Sequence, residues 1–135
     1  MIAPLLALAL AVQPSGALDQ RRATVMQFEI RLPATMTAAE QTAATAIFAR
    51  DTRTIRKCPD AIAIAARYRQ QSRFTGSITQ RADIPLGALP ADLQRELARI
   101  PAGHATRVFG STGVRRVLIA CTVPAIPKAA ARREI

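Results

Sequence analysis

Hydrophobic and polar residues alternate in an early segment of the chain. In VMQFEIRL, residues 25–32, every second position from Met26 to Leu32 is apolar. This period of two predicts a half-buried β-strand. The residues between them, beginning with Gln27, are polar, so the second face of the strand is expected to meet solvent or a binding site. Pro33 ends the pattern.

Helical periodicity replaces the alternation after this strand. Thr37 and Glu40 have the spacing of a capping box, so a helix is predicted to begin there. Its inward face is read from spacings of three and four: Ala44, Ile47, Phe48, Asp51 and Ile55. Pro59 suits the first turn of a second helix, which is predicted to run to about Gln70. The buried face of that helix is predicted to hold Ala61, Ile64, Ala65 and Tyr68.

The second half of the chain alternates turn signals with short periodic segments. Residues 72–88 contain two Gly and a Pro without a lasting period, which predicts a loop, with room for a short strand at Ser77–Thr79. A helix is expected after Pro90, with Leu93, Leu97 and Ile100 on one face and residues 101–103 ending it. HATRVFG (104–110) and VRRVLIACTV (114–123) are predicted strands of a hairpin. The order is β-α-α-(β)-α-β-β, an α+β domain with an antiparallel sheet of three to four strands.

The two ends of the chain differ from this central domain. Residues 1–17 carry no charged side chain, include an apolar run and end in small residues, which is typical of a cleaved signal peptide and therefore of a periplasmic, exported protein. An uncleaved anchor or a misassigned start are the alternatives. Residues 18–23 are interpreted as a linker, 24–123 as the domain and 124–135 as a basic, frayed tail.

The chain is strongly basic, with 19 Lys and Arg against 9 Asp and Glu and a net charge of +10. The basic residues are scattered and aromatic residues are only 4% of the chain, so the stacking platform of a nucleic-acid-binding protein is missing. The charge then indicates either a solvated basic surface or attraction to acidic partners and anionic membrane surfaces.

Few residues are available for conventional catalytic or metal chemistry. Cys58 and Cys121 are the only cysteines, and they are either paired as a disulfide in an oxidising compartment or left as two buried thiols. With one histidine, His104, interpreted as an exposed turn residue, no metal site can be drawn. The sequence has no phosphate-binding glycine loop, no Ser-His-Asp set and no acidic pair for glycoside hydrolysis. No cofactor is expected.

The segment GSITQRADIPLGALPADLQRELARIPAGHATRVFGSTGVRRVLIA, together with QFEIRLP and CPDAIAIAARY, resembles the parvulin-type peptidyl-prolyl isomerase domain. The resemblance covers about residues 24–123, through a Gly-containing turn, a G-x-L-P entry to a helix, I-P-A-G at its end and a final Gly-turned hairpin. It implies binding of unfolded or proline-containing polypeptides, including outer-membrane protein precursors, as in periplasmic chaperones of the SurA type.

The resemblance also assigns positions for a site. The two histidines of the family fall on Gln27 and Arg115, and its Cys or Asp falls near Gln71. The apolar pocket of the family falls on Leu89 and Leu93, and its turn hydroxyl on Thr112. Because none of the three polar residues matches, isomerase activity is in doubt. Leu89 and Leu93 are read either as plain core residues or as this pocket.

Arg115 has three interpretations. It is a strand-end charge paired with Glu29 across the sheet, or it lines a peptide groove with Gln27 and Gln71, or it donates hydrogen bonds to a twisting X-Pro amide in a slow isomerase. The alternative from another class is a non-catalytic basic adaptor that binds acidic partners or the anionic envelope surface. Salt separates these functions, because electrostatic binding weakens as ionic strength rises.

Overall fold

Three helices and a three-stranded sheet make up the domain. The computed structural model describes residues 21–71 and 74–122. The elements are β1 (Arg22–Arg31), α1 (Ala38–Thr52), α2 (Cys58–Gln71), β2 (Thr75–Pro85), α3 (Ala91–Arg99) and β3 (Val114–Ala120), with a 3₁₀ turn at Leu86–Ala88. The protein is therefore α+β with an antiparallel sheet. The proposed signal peptide 1–17 and tail 124–135 lie outside the described residues, and β1 begins within the segment that was predicted to be linker.

The sheet has the order β2-β1-β3, with β1 in the centre and both neighbours antiparallel to it. The helical hairpin α1–α2 packs on one face of the sheet through a cluster of apolar residues from both helices, β1 and β3. Phe28 of β1 is fully buried there, with its ring 5.1 Å from that of Phe48 and 6.0 Å from that of Tyr68. This aromatic group is the centre of the larger core.

The opposite face of the sheet is only partly covered. Leu93 and Leu97 of α3, with Leu86 from the 3₁₀ turn, pack on Val25 and Leu118 to form a second, smaller core. This part of the face is apolar. The polar side chains predicted for the second face of β1 begin at Gln27, the next residue on this face after Val25, so the face is divided into an apolar end and a polar end.

The first helix begins where its sequence predicts. The backbone N–H of Glu40 donates to Thr37 Oγ1 (3.1 Å), and the backbone N–H of Thr37 donates to Glu40 Oε1 (2.8 Å). The capping box is thus complete. Asp51, predicted on the inward face, accepts a hydrogen bond from the Tyr68 hydroxyl (2.6 Å) and so joins α1 to α2.

The prediction of a loop for residues 72–88 is wrong over most of that range, because Thr75–Pro85 forms β2. Most of the strand's side chains are exposed, since it lies at the edge of the sheet, and an edge strand needs little apolar alternation. The strand is interrupted by a bulge between its pairings with Ala23 and Val25. Asp83 takes a φ of 51° there, held by Arg22, whose Nε donates to Asp83 Oδ1 (3.1 Å).

The first strand of the predicted hairpin is also wrong. Residues 104–110 make only two isolated bridges with β3, at Ala105 and Phe109. The chain enters this segment through Gly103, whose φ is 90° and where a Cβ would lie 2.2 Å from the carbonyl oxygen of Arg56. Glycine is therefore required where this segment passes the turn between α1 and α2.

Cys58 and Cys121 form a disulfide, with an S–S distance of 2.01 Å. Cys58 is the first residue of α2 and Cys121 directly follows β3. The bond therefore joins the helical hairpin to the end of the sheet, across a sequence separation of 63 residues. Among the helices of the described ranges, none is long and apolar enough to cross a membrane.

Candidate functional site

A cavity of about 270 Å³ opens on the partly covered face of the sheet beside Gln27. Its walls come from all three strands and from the residue that precedes Pro90. The lining residues are Val25, Gln27, Thr79, Arg81, Ile84, Leu89 and Leu118. The volume is slightly below the range of about 300–1,000 Å³ that is usual for small-molecule sites. It suits a single apolar ring or side chain of a larger ligand.

The lining of the cavity combines apolar walls with a few hydrogen-bonding groups. Val25, Ile84, Leu89 and Leu118 supply the apolar surface. The side-chain amide of Gln27 can both donate and accept, as a peptide group can. Such a combination can hold an apolar side chain while Gln27 binds the adjoining backbone.

Gln27 is oriented by a buried carboxylate two residues along β1. Glu29 is only 8% exposed and accepts hydrogen bonds from Arg116 Nε (2.8 Å), Arg31 Nε (3.3 Å) and Gln27 Nε2 (3.5 Å). The guanidinium groups of Arg116 and Arg31 compensate this charge, so the Glu29 carboxylate can remain ionised although it is buried. The hydrogen bond from Arg116 holds the pKa of the Glu29 carboxyl below its ordinary value of 4.5.

Replacing Glu29 with glutamine is expected to destabilise the domain in a pH-dependent way. A lowered folded-state pKa means that the stabilisation is complete above the unfolded value of 4.5 and is lost as pH falls through the folded value. Glu29→Gln should therefore cost about 1–3 kcal/mol at neutral pH and much less near pH 3. Urea unfolding at both pH values measures the difference.

Asp83→Asn is the matched control, because the Asp83 side chain is 77% exposed and its ion pair within the described residues is with the surface residue Arg22. Its effect should stay within about 0.5 kcal/mol. A Glu29→Gln penalty that is equal at acidic and neutral pH would show that the ionised carboxylate is not what stabilises this face.

Arg115 does not lie in the cavity and does not pair with Glu29. In the register of the sheet Arg115 is opposite Ile30, whereas Glu29 is opposite Arg116. Arg115 therefore points to the α1 side, where its Nε donates to Thr45 Oγ1 (3.0 Å). The predicted cross-sheet ion pair exists, but the neighbouring arginine makes it. An offset of one residue moves a strand side chain to the opposite face.

The other predicted site residues are also separated. Gln71 is the exposed last residue of α2, and α2 packs on the face opposite to Gln27. Thr112 lies in the turn before β3, beyond the pairing of Arg31 with Val114, which is four residues or about 13 Å along the strand from Gln27. Leu93 is buried in the smaller core. Of the six, only Gln27 and Leu89 line the cavity, and Leu89 also packs against the smaller core that contains Leu93.

Sequence reasoning missed five of the seven lining residues: Val25 and Leu118, which were assigned to predicted strands but not to a site, and three residues of a strand that was mostly missed. Thr79, Arg81 and Ile84 all belong to β2, and the only signal for that strand was the short segment suggested at Ser77–Thr79. In the ranges 21–71 and 74–122, His, Cys, Asp and Glu side chains form no group of three that could hold a metal ion.

The comparisons with known proteins leave the family open. The chain has no significant match to a family model, a curated protein or a solved structure. The function therefore has to be argued from the geometry of the site.

Proposed function

We propose that this chain is a parvulin-like domain that binds unfolded or proline-containing polypeptide in the cavity beside Gln27. The observation that carries the proposal is the cavity itself. Gln27 and Leu89, two positions assigned through the family resemblance, line it together with apolar side chains. The order of strand, helical hairpin, strand, helix and strand agrees with the same resemblance. The resemblance and the signal peptide predicted at residues 1–17 also support an exported chaperone role.

The proposed activity is binding rather than rapid isomerisation. Rotation about an X-Pro bond has a barrier of about 18–20 kcal/mol, set by amide resonance. A catalyst lowers it with hydrogen-bond donors aimed at the twisted amide. Gln27 lines the cavity, but Arg115 faces α1 and Gln71 ends α2. With the three polar positions apart, we expect little acceleration.

An NMR titration of the mature domain with an Ala-Pro peptide at moderate salt tests this function. Peptide signals should shift on binding without new cis–trans exchange cross-peaks. Leu89→Ala removes an apolar wall and should weaken binding about tenfold, equivalent to about 1.4 kcal/mol. Arg115→Gln and Thr112→Ala should leave the affinity unchanged, because these residues lie away from the cavity.

Three results would contradict the proposal. Exchange cross-peaks that require the protein would make it an isomerase despite the separated polar residues. Equal weakening by Arg115→Gln would place the ligand on the other face of the sheet. Binding that appears only with acidic ligands and disappears between low and physiological salt would favour the basic adaptor instead.

A further inference from the structure

The two edges of the sheet differ in whether their backbone groups are paired. On β3, the outward groups of Arg116 exchange hydrogen bonds with Phe109 in both directions (2.9 and 2.7 Å). The carbonyl of Leu118 accepts from Thr106 N–H (2.9 Å). The segment before β3 therefore covers this edge. On β2, no strand from the described part of the chain pairs with the outer edge.

The ladder of hydrogen bonds tells which groups of β2 point outward. The backbone N–H of Leu32 donates to Gly113 O (2.8 Å), and the N–H of Cys121 donates to Thr24 O (2.8 Å). Even-numbered residues of β1 thus bond to β3, and odd-numbered residues bond to β2. By the register, the odd-numbered residues of β2 complete those bonds. The outward N–H and C=O groups belong to Gly76, Ile78 and Gln80.

An exposed apolar side chain lies beside this edge. Ile62 of α2 is 50% exposed and is the one large hydrophobic residue left exposed among the described residues. Ala65 faces β2, because a methyl group at Gly76 would lie 3.9 Å from its Cα. Ile62 precedes Ala65 by one turn on the same flank, about 4.5 Å along the helix axis. Helical spacing therefore places Ile62 on the flank of α2 that faces β2, the strand whose Ile78 packs on the larger core.

The charges around the edge favour an acidic ligand. Arg69 follows Ala65 by four residues on the same flank of α2, and it is exposed, as is Arg81 of β2. The nearest acid of the strand, Asp83, is paired with Arg22. The outward residues of the edge are uncharged, and the whole chain carries +10. Two copies of such a chain would repel each other, whereas an acidic chain is attracted.

We propose that the outer edge of β2 binds an extended segment of another polypeptide as an added strand. The segment has apolar side chains in its centre, packed against Ile62 and Ile78, and acidic residues at its ends, near Arg69 and Arg81. Its backbone pairs with Gly76, Ile78 and Gln80. Arg81 also lines the cavity, but the three backbone positions, Ile62 and Arg69 do not, and the proposal does not depend on the function proposed for the cavity.

The test uses a synthetic peptide of alternating valine and threonine with glutamate at both ends, added to the full domain. Amide hydrogen exchange, read residue by residue by NMR, should slow at Gly76, Ile78 and Gln80. The amides of Ser77 and Thr79 already bond to β1, so their exchange should not change. This alternation is the signature of strand addition, and binding elsewhere would not produce it.

Variants on α2 test the flank. Ile62→Ser and Arg69→Gln should each weaken peptide binding about five- to tenfold. Both side chains are exposed, so folding should be retained. Arg67→Gln is the matched control: Arg67 is an exposed arginine of the same helix, but it lies on the other flank, and its removal should leave affinity unchanged. A peptide with lysine at both ends should bind at least tenfold more weakly.

Each alternative occupant gives a different result, and each would overturn the proposal. Slow exchange at the three outward amides before peptide is added would mean that another segment of the same chain covers the edge. Self-association that strengthens with salt, without peptide binding, would point to a second copy. Peptide-induced shifts at Gln27 that are lost in Leu89→Ala, without slowed exchange on β2, would mean that the peptide binds in the cavity instead of at the edge.

Discussion

Removing the Cys58–Cys121 disulfide is expected to lower the free energy of unfolding by about 4 kcal/mol. The bond closes a loop with a sequence separation of 63 residues. In the chain-entropy description, a cross-link over such a loop lowers the entropy of the unfolded state by an amount worth about 4 kcal/mol at 25 °C. Typical domains are stable by about 5–15 kcal/mol. The loss would therefore take a large share of the total stability.

Denaturant unfolding of the oxidised protein and of a Cys58→Ala, Cys121→Ala double variant measures this effect. Reductant should shift the wild-type transition to lower denaturant and leave the double variant unchanged. The mass of the wild-type chain should rise by two hydrogen atoms on reduction. Coincident transitions for the two proteins would mean that the reduced chain is held equally well by packing, and an unchanged mass would mean that the thiols are not bonded.

Truncating Phe28 to alanine is expected to cost about 3–5 kcal/mol. Phe28 is fully buried at the centre of β1, in edge contact with Phe48 and near Tyr68. The substitution leaves a cavity between the sheet and both helices of the hairpin, which the rigid sheet cannot close. The neighbouring side chains of this small core are not expected to fill the space that the ring leaves.

Thermal and urea unfolding of Phe28→Ala, with two companions, checks this prediction. Phe28→Leu keeps most of the volume and should cost less than half as much. Ile62→Ala removes an apolar side chain of the exposed flank of α2 and should stay within about 0.5 kcal/mol. A Phe28→Ala loss as small as that of Ile62→Ala would show that the aromatic cluster does not stabilise the domain.

The elements with local signals could be predicted from the sequence. The capping box of Thr37 and Glu40 acts through bonds within one turn, and the period of the following residues depends only on helical geometry. α3 is marked in the same way by Pro90 and the spacing of Leu93 and Leu97. β1 alternates strongly, because its apolar side chains from Met26 to Leu32 pack in the larger core and the polar residues between them lie on the other face of the sheet. These signals suffice to assign the α+β class.

Features that depend on neighbouring strands could not be predicted. β2 lies at the sheet edge and exposes most of its side chains, so its sequence lacks the apolar alternation of a strand. For the same reason the cavity lining by Thr79, Arg81 and Ile84 could not be predicted. Residues 104–110 read as a strand, yet they bridge to β3 at only two points. Both errors arise because strand formation depends on which backbone is available as a partner.

The orientation of the arginine pair at the start of β3 cannot be predicted from the local sequence pattern. Local pattern does not show which of the two arginines faces Glu29 and which faces α1. Adjacent residues of a strand point to opposite faces, and only pairing with another strand decides which face each one takes. Pairing of β3 with β1 places Arg116 opposite Glu29 and sends Arg115 to Thr45. Helices, their caps and the first strand follow from contacts between close neighbours in the chain. The faces of the sheet, the cavity beside Gln27 and the open edge of β2 follow from hydrogen bonds between distant segments, in which a shift of one residue exchanges the two faces.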